Sequence, residues 1–450
     1  MRRENREKRR LWLSWLASNS GDNLVLLRQR HCCCGGNVCR KEIATIKFRL
    51  RSLFSGLIPL LVLAHLAHHL VTALTVPLLP FIRDEFNLDY TRAGLVISAF
   101  GLVYGACQLP GGWFADRIGT RVLLTIGIGG SALTGLMAGL SHNYLMLLIS
   151  LILMGLLGGG YHPAATSMIS SVVEPKRRGQ ALGYHMIGGG ASYFLAPLVA
   201  AGIAAAWGWR GTFITLAIPT IAFGILLHVL LGRRMPVKKA APKVTIVSST
   251  EAPPVPGRLR RLIALVILST YNQAVILAVV SFIPLFLVDQ LGTNKEMAAA
   301  SISLVYFMGL WAGPVGGFLA DRWGKVKLLL ALCFISGVII YLLTLAPSGL
   351  GIGILLALTG IAIYFNTTAA QTYIVDQVSE RFRATALGLY FFGNMEGSGI
   401  LTPVLGYLID KFGFDLSFTF TGISLIAVLI IYAVFSQFAG AKNQVGRSEP

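Results

Sequence analysis

Histidines are concentrated in apolar stretches of the first half of this 450-residue chain. His65 and His69 are four residues apart and His68 lies between them, so on a helix His65 shares a face with either neighbour. His162 and His185 follow in two later apolar stretches. Histidine changes its charge near neutral pH, so such a set is suited to relaying protons or binding anions. Neutral histidines with a purely structural, hydrogen-bonding role are the alternative.

A metal site is a second use for these side chains. The spacing of His65 and His69 allows zinc binding, but no carboxylate accompanies them in the sequence. The cysteines at positions 32–34 and 39 have no histidine pair at the spacing of a zinc finger. We therefore expect no metal site and no cofactor.

Glu396 is the clearest acidic residue deep inside an apolar stretch. A lone carboxylate in such surroundings needs a partner or takes up a proton. That chemistry can couple proton movement to another process, and we expect Glu396 to carry the coupling proton. A structural ion pair, or a neutral acid that donates one hydrogen bond, is the alternative.

The composition is that of a membrane protein. Hydrophobic residues make up 55% of the chain and charged residues 13%, and the mean hydropathy is +0.70. Runs of about 20 apolar residues are long enough to cross a bilayer as helices. We expect an all-α membrane protein with twelve transmembrane helices. They are predicted at residues 53–81, 92–113, 121–141, 143–172, 179–204, 211–232, 261–289, 298–319, 327–346, 349–374, 384–408 and 416–438.

The net charge of +19 follows this topology. With these twelve spans, 33 of the 38 lysines and arginines fall on one side. The positive-inside rule then places both termini in the cytoplasm and predicts a multi-pass protein of the plasma (inner) membrane. The lipid bilayer, rather than nucleic acid, explains the basic excess. The five basic residues on the other side are Arg83, Arg92, Arg210, Lys295 and Lys411.

The chain repeats itself at half its length. GGWFADRIGTR at residues 111–121 returns as GGFLADRWGKVK at residues 316–327, with Asp116 and Asp321 205 positions apart. RRGQALG at 177–183 matches FRATALG at 382–388 with the same offset. This predicts two pseudo-symmetric six-helix bundles with a ligand site between them. The predicted regions are a basic cytoplasmic tail (1–52), the first bundle (53–232), a cytoplasmic linker (233–260), the second bundle (261–438) and a cytoplasmic tail (439–450).

The duplicated G-x-x-x-D-R-x-G-x-R/K turn resembles the signature of the major facilitator superfamily, over residues 50–438. The segments GGGYHPAATSMISS (158–171) and RRGQALGYHMIGGGASYFLAP (177–197) are similar to its fosmidomycin-resistance branch. This resemblance implies alternating access and proton-driven export of a small anionic or amphipathic compound. One departure is Leu151, which stands where many drug antiporters carry an arginine four residues before a glycine.

In this family the charged turns latch the cytoplasmic side shut. An aspartate there can accept hydrogen bonds from the first turn of a neighbouring helix, and glycines permit close helix approach. Anchoring of the topology alone is the alternative. The expected gating residues are Gly112, Asp116, Arg117, Arg121, Arg178, Gly317, Asp321, Arg322 and Arg383.

The resemblance also places spans 1, 4, 7 and 10 around a central cavity. At an offset of 204, His68 and His69 of span 1 align with the amides Asn272 and Gln273 of span 7. At an offset of 205, Tyr161 and His162 of span 4 align with Asn366 and Thr367 of span 10. This predicts an ionisable wall in the first half and a neutral polar wall in the second, unless these amides only join helices. The expected substrate- and proton-binding residues are His65, His68, His69, Tyr161, His162, His185, Asn272, Gln273, Asn366 and Glu396.

These features predict a secondary transporter and not an enzyme. The sequence contains no G-x-x-x-x-G-K-[ST] motif for ATP binding. Proton-coupled export of a small amphipathic or anionic compound ranks first, and proton-coupled uptake of an organic anion second. A membrane sensor that binds its ligand without moving it is the alternative from another class. The expected partners are a small-molecule substrate, protons and lipid, with the protein acting as a monomer.

Overall fold

The computed structural model describes residues 56–174, 177–234, 258–379 and 382–445, and these residues contain helices and turns but no strand. The predicted tail 1–52 and most of the linker 233–260 lie outside them, as do residues 446–450. The helices are α1 (Leu57–Thr72), α2 (Leu79–Phe86), α3 (Tyr90–Ile118), α4 (Thr120–Thr125), a π-helical segment (Ile126–Gly130), α5 (Ser131–Gly139), α6 (Tyr144–Gly158), α7 (Tyr161–Val172), α8 (Arg178–Arg234), α9 (Arg258–Asp289), α10 (Lys295–Phe307), α11 (Gly309–Trp323), α12 (Lys325–Leu345), α13 (Leu350–Gln377) and α14 (Arg383–Val445).

The expected all-α membrane architecture is confirmed. Nine helices among the described residues are long and apolar enough to cross a membrane. Two of them, α8 and α14, are each divided by a non-helical glycine, Gly208 and Gly413. Counting their parts separately and adding the shorter α1 gives twelve apolar segments, although the crossing of a bilayer by each remains a prediction. Large apolar side chains such as Leu145 and Ile431 are 65% exposed, as expected of lipid-facing surfaces.

The repeat extends to the backbone. Gly119 and Gly324, 205 positions apart, both have positive φ, 88° and 92°, where the charged turns enter the next helix. Gly208 and Gly413, with the same offset, have φ values of 66° and 75°. Glycine adopts this conformation without the steric penalty that a Cβ brings. The two halves therefore bend their chains at corresponding positions by the same means.

Close helix contacts repeat at the same offset. In the first half, a Cβ on Gly155 would lie 2.7 Å from the carbonyl oxygen of Phe100, so α6 packs directly on the backbone of α3. In the second half, Gly360 of α13 lies against the carbonyl of Val305 in α10, again 205 positions further on. Small residues that bring helix backbones together are the usual means of packing helices in lipid.

Two predicted spans are broken where the chain carries proline. Span 1, predicted at 53–81, ends as α1 at Thr72, and a separate helix α2 begins at Leu79. Pro77 lacks an amide hydrogen and restricts the residue before it, which explains the break. Span 4 is interrupted between α6 and α7, where Pro163 follows three glycines at 158–160. This interruption starts α7 at Tyr161, next to His162.

The two halves meet along two pairs of helices. On one side α3 packs against α14, where the hydroxyl of Ser98 donates to the carbonyl of Gly399 at 2.6 Å. On the other side α8 packs against α10, where Ser303 donates to the carbonyl of Phe194 at 2.8 Å. Prolines and glycines of α8 and α14 make close contacts both between the halves and within one half. Pro403 and Gly399 face the other half, whereas Gly188 and Gly189 pack on α1 within their own half.

We predict that Gly360→Ala destabilises the protein and that Gly353→Ala on the same helix does not. A Cβ at position 360 would overlap the backbone of α10, whereas at position 353 it would meet only Leu304 Cδ2 at 3.8 Å, an ordinary contact. Overpacking costs about 1–3 kcal/mol. The measurement is the thermal unfolding midpoint of the purified variants in detergent. Equal midpoints for the two variants would contradict the packing described here.

Candidate functional site

The five histidines of the predicted spans come together. His65, His68 and His69 lie on α1, His162 on α7 and His185 on α8. Neighbouring rings in the group have centroids 4.2–6.2 Å apart. His162 is half-buried and the other four are buried. We call these five residues the histidine cluster.

Glycines bring the helices of the cluster into contact. A Cβ on Gly188 of α8 would overlap the carbonyl of Val62, so α8 lies directly on α1. A Cβ on Gly189 would lie 2.5 Å from Cε1 of His65, so this glycine makes room for the ring. His162 enters the group because the glycine-rich break starts a new helix at Tyr161.

The hydrogen bonds of His65 and His69 fix the tautomer of each ring. Nδ1 of His65 lies 2.8 Å from the carbonyl oxygen of His185, which can only accept, so Nδ1 carries the hydrogen. The hydroxyl of Thr72 donates to the carbonyl of His68 at 3.1 Å, so its oxygen is free to accept from Nδ1 of His69, also at 3.1 Å. In the neutral form each ring therefore has a lone pair at Nε2. Nε2 of His69 faces Nε2 of His162 at 3.2 Å.

His68 has a partner at both nitrogens. Its Nδ1 donates to the carbonyl of Gly127 at 3.1 Å, within the π-helical segment, and its Nε2 accepts from the hydroxyl of Tyr104 at 3.1 Å. Its ring also stacks on Tyr161, with centroids 4.2 Å apart. This arrangement favours the structural alternative for His68.

His185 and Tyr161 each keep one polar atom without a partner. His185 donates from Nδ1 to the carbonyl of Leu61 at 3.1 Å and stacks on His65 at 4.2 Å. Its Nε2 and the hydroxyl of Tyr161 are buried with no hydrogen bond among the described residues. Buried polar atoms without a partner are uncommon and point to a site that a ligand or water completes.

The second half presents amides, as expected, but most of them bond to one another. Nδ2 of Asn366 on α13 donates to Oε1 of Gln273 at 3.0 Å and to the carbonyl of Ser269 at 3.2 Å, both on α9. The hydroxyl of Ser269 lies 3.3 Å from that of Tyr390 on α14. Asn272 differs, because both of its polar side-chain atoms are buried without a partner in the described part of the chain. The helix-joining alternative thus fits Asn366 and Gln273, and Asn272 remains the candidate ligand.

Glu396 lies at the contact between the halves. It is on α14, and a Cβ on Gly105 of α3 would lie 2.7 Å from its Oε1. That oxygen is buried and has no hydrogen-bond partner among the described residues. The adjacent residue on α3 is Tyr104, which is bonded to His68. Glu396 is thus connected to the histidine cluster through α3.

Aromatic rings link the histidine cluster to the second half. The ring of His69 lies 4.7 Å from that of Tyr193 on α8, and Tyr193 lies 5.1 Å from Tyr306 on α10. Neither tyrosine, nor Tyr104, is among the expected site residues. Their hydroxyls could have been noticed in the sequence as polar atoms within apolar spans.

The predicted gating turns are exposed in this conformation. Asp116 and Asp321 both reach solvent, as do Arg117 and Arg322. We call the face of the protein that carries Asp116 and Asp321 the turn face. The guanidinium of Arg117 lies over the ring of Trp113 at 4.1 Å, and Asp321 is 3.7 Å from Lys325 of its own half.

The expected glycine contact at Gly112 is not seen, since a Cβ there would meet no atom within 4 Å. It is Gly111 that lies against Pro163, at 2.9 Å. At Gly317 a Cβ would make only an ordinary contact, 3.4 Å from Cγ2 of Thr368.

Two arginines of the turn face at corresponding positions of the repeat bind carbonyls at helix ends. Nε of Arg178 donates to the carbonyl of Val173, just after α7, and Nε of Arg383 donates to that of Val378, just after α13, both at 3.3 Å. Cations at helix C-termini complement the helix dipole. Arg121 donates to the carbonyl of His228 at 2.9 Å. Each of these contacts lies within one half.

The opposite face is closed by ion pairs between the halves. Arg83 after α1 pairs with Asp289 at the end of α9, and the hydroxyl of Tyr90 donates to the same carboxylate at 2.8 Å. Asp84 pairs with Lys295 at 2.5 Å. Together with Asp410, described next, these residues form what we call the latch. Sequence reasoning used Arg83 and Lys295 only to count charges, because nothing in the spacing indicates pairing across 200 residues.

Asp410 caps α3 from the other half. Its carboxylate accepts from the backbone amides of Tyr90 and Thr91, at 2.8 and 2.9 Å, and from the hydroxyl of Thr91 at 2.5 Å. A carboxylate at a helix N-terminus satisfies free amides and favours the positive end of the dipole. This is the interaction that the sequence predicted for Asp116, found here at a different residue on the opposite face.

Asp84 of the latch and the neighbouring Glu85 are held in the charged form. Burial raises the pKa of Asp84, but hydrogen bonds and charges from Lys295 and Arg83 outweigh this and leave it below the usual 3.8. The pKa of Glu85 is likewise lowered by Arg210 and Trp209 against the effect of burial. A carboxyl whose pKa is lowered in the folded protein stabilises the fold at pH values above its ordinary pKa. That stabilisation is lost only when the pH falls through the lowered pKa. Near neutral pH these charges are constant.

The comparisons with known proteins agree with this architecture. The family model described as Major Facilitator Superfamily matches residues 61–394 and again residues 262–449. The probable sulfoacetate transporter of Cupriavidus necator is 27% identical over 386 residues, 79% of this chain and 87% of that protein. The hexuronate transporter of Bacillus subtilis is 26% identical over 382 residues, with coverage of 80% and 87%. A multidrug resistance protein of Klebsiella pneumoniae is 25% identical over 394 residues, with coverage of 84% and 92%.

A solved structure has the same fold. It is that of a bacterial homologue of the human lysosomal transporter Spinster in an inward-facing, occupied conformation. The TM-score is 0.71 at 18% sequence identity, and the match covers 86% of this chain and 97% of that one. At this identity the likeness concerns the fold alone.

We predict that Asp289→Asn opens the face of the protein that carries the latch. A neutral amide no longer attracts Arg83 and accepts a weaker hydrogen bond from Tyr90. Spin labels at positions 142 and 297, both exposed, can follow the separation of the halves there once the six native cysteines are replaced. We expect pulsed EPR to show a larger share of long distances. The matched control is Asp89→Asn, because Asp89 caps only its own helix α3. Identical distance distributions in the two variants would show that the latch does not hold this face.

Proposed function

Because this chain belongs to the major facilitator superfamily, a family of transporters and not of enzymes, we propose that it carries a small organic anion and protons together across the plasma membrane by alternating access. The observation that carries this proposal is the histidine cluster, five imidazoles packed together with no carboxylate among them. A site of this composition can become positive but not negative.

The charge of the cluster favours movement of proton and anion in the same direction. An anion bound beside the rings stabilises an imidazolium, and an imidazolium in turn stabilises the bound anion. This coupling is reciprocal by thermodynamic necessity, so each ligand raises the affinity for the other. A protein with such a site binds proton and anion together, which is the requirement for symport. In an antiporter, by contrast, substrate and proton replace one another.

The similarity to a sulfoacetate and a hexuronate transporter supports an organic anion as the substrate class. The side chains with free polar atoms, Asn272 in the second half and Tyr161 and His185 in the first, offer neutral and ionisable contacts to such a molecule. This reverses the order of the sequence-based expectations, which ranked export before uptake of an organic anion.

Efflux is the second candidate. The similarity to a multidrug resistance protein covers 84% of the chain, and the resemblance of residues 158–197 to the fosmidomycin-resistance branch points the same way. In that case proton and compound would compete, and Glu396, at the contact between the halves, would be the site of exchange.

The topology follows from the charge distribution. If the turn face and both termini are cytoplasmic, as the basic residues predict, the conformation described here has its outer face closed by the latch and is inward-facing. The proposed organisation keeps the two bundles at 53–232 and 261–438, joined by the linker 233–260, with tails at 1–52 and 439–450, in a monomer.

We predict that proteoliposomes containing the protein take up hexuronate or sulfoacetate when the interior is more alkaline than the exterior. His162→Gln should lower this uptake at least about 10-fold, since one proton-carrying group of the cluster is lost. The control is His142→Gln, which alters an exposed histidine outside the cluster. Uptake that does not depend on the pH gradient, or inhibition of substrate binding by protons, would contradict symport.

We predict that Glu396→Gln abolishes gradient-driven transport and leaves the protein folded. Oε1 of Glu396 has no hydrogen-bond partner to lose, and glutamine has nearly the same shape. Exchange of labelled for unlabelled substrate without a pH gradient should persist, because it requires no net proton movement. Glu296→Gln, in the first turn of α10, is the matched control. Normal proton-driven flux in Glu396→Gln would remove this residue from the mechanism.

A further inference from the structure

Three histidines of the cluster converge on one point. One ring nitrogen from each of His65, His69 and His162 lies within 4.8 Å of the others. Nε2 of His69 and Nε2 of His162 are 3.2 Å apart. Two nitrogens bound tetrahedrally to one zinc ion at about 2.1 Å lie about 3.4 Å from each other. The separation is therefore close to that of two ligands of a single metal ion.

The hydrogen bonds of the rings supply the lone pairs that a metal ion needs. His65 holds its hydrogen at Nδ1 because it donates to the carbonyl of His185, and His69 does so because it donates to Thr72. In both rings this leaves Nε2 unprotonated, and Nε2 of His69 faces that of His162. Fixing the second nitrogen of a metal-binding imidazole in this way is the usual means of orienting it.

We propose that His65, His69 and His162 form a binding site for a divalent first-row transition-metal ion of the zinc type. Neutral imidazole is a preferred ligand of Zn²⁺, Ni²⁺ and Cu²⁺, whereas Mg²⁺ and Ca²⁺ prefer oxygen. Three histidines leave a fourth position for water or a small anion. The ion keeps its two positive charges, because the three ligands include no carboxylate.

The site belongs to one half of the protein. His65 and His69 lie on α1 and His162 on α7, so binding does not bridge the two halves or require one conformation of the latch. His68 is not a ligand, since both of its nitrogens have partners. Metal binding can therefore be measured without knowing the substrate or the direction of transport.

The test is Co²⁺ and Zn²⁺ binding to the purified full-length chain, without an affinity tag and with the cysteines at positions 32–34 and 39 replaced by serine. Co²⁺ reports its coordination in its absorption spectrum, and we expect the intense bands of a tetrahedral site without a thiolate charge-transfer band. Titration with Zn²⁺ should displace one Co²⁺ per chain. His69→Gln should weaken binding by more than about 100-fold, since loss of a ligand costs more than the about 10–100-fold expected for loss of its hydrogen-bond partner.

Two further variants complete the test. Thr72→Val, which removes the hydroxyl that orients His69 and leaves the three ligands in place, should weaken binding by about 10–100-fold. His142→Gln, which alters an exposed histidine outside the cluster, is the matched control and should bind as the parent does. His162→Gln replaces His69→Gln if the latter does not fold, as judged by circular dichroism and gel filtration. No tetrahedral Co²⁺ spectrum in the parent protein, or equal binding by the His142 and His69 variants, would overturn the proposal.

Discussion

Lipid offers no hydrogen-bond partner to a polar group, so a membrane-embedded side chain must find one within the protein. Four imidazoles in the first half do so by giving Nδ1–H to an oxygen. Two of these bonds run in opposite directions between α1 and α8, from His65 to the carbonyl of His185 and from His185 to that of Leu61. They require the two backbones to touch, which Gly188 permits. The same bonds use Nδ1 and leave Nε2 of His65 and His185 free to bind a proton or a ligand. The close packing of α1 on α8 and the binding capacity of the cluster therefore depend on the same hydrogen bonds.

The two halves share their backbone features but differ in the polar side chains of their interiors. Positive-φ glycines, close backbone contacts and arginine caps recur at an offset of 205 residues, as at Gly119 and Gly324. These features govern how helices bend and pack, and they are needed equally in both halves. The interior residues differ, with imidazoles in the first half and amides bonded to one another in the second. The interior of the protein is thus asymmetric although its frame is symmetric, with ionisable imidazoles in one half and neutral amides in the other.

The sequence predicted most of the scaffold because its signals are local. Apolar length, the repeated turn and the spacing of His65 and His69 each depend on residues close together in the chain, and the helices follow the predicted spans closely. The latch could not be found in this way. Arg83 and Asp289, like Thr91 and Asp410, are separated by more than 200 residues and are joined only by the packing of the halves. The break in span 1 was missed for another reason. The apolar residues on both sides of Pro77 favoured one continuous span, and this signal was given more weight than the tendency of proline to end a helix.

Helix α3 connects the parts of the protein that carry fixed charge with those that can change charge. Its first turn is held by Asp410 and Asp289 in the latch, and the lowered pKa of Asp84 keeps the neighbouring pair ionised near neutral pH. Midway along the same helix, Tyr104 bonds to His68, and Gly105 lies against Glu396. Because α3 is one continuous helix, it is the physical link between the fixed charges of the latch and the ionisable side chains beside Tyr104 and Gly105.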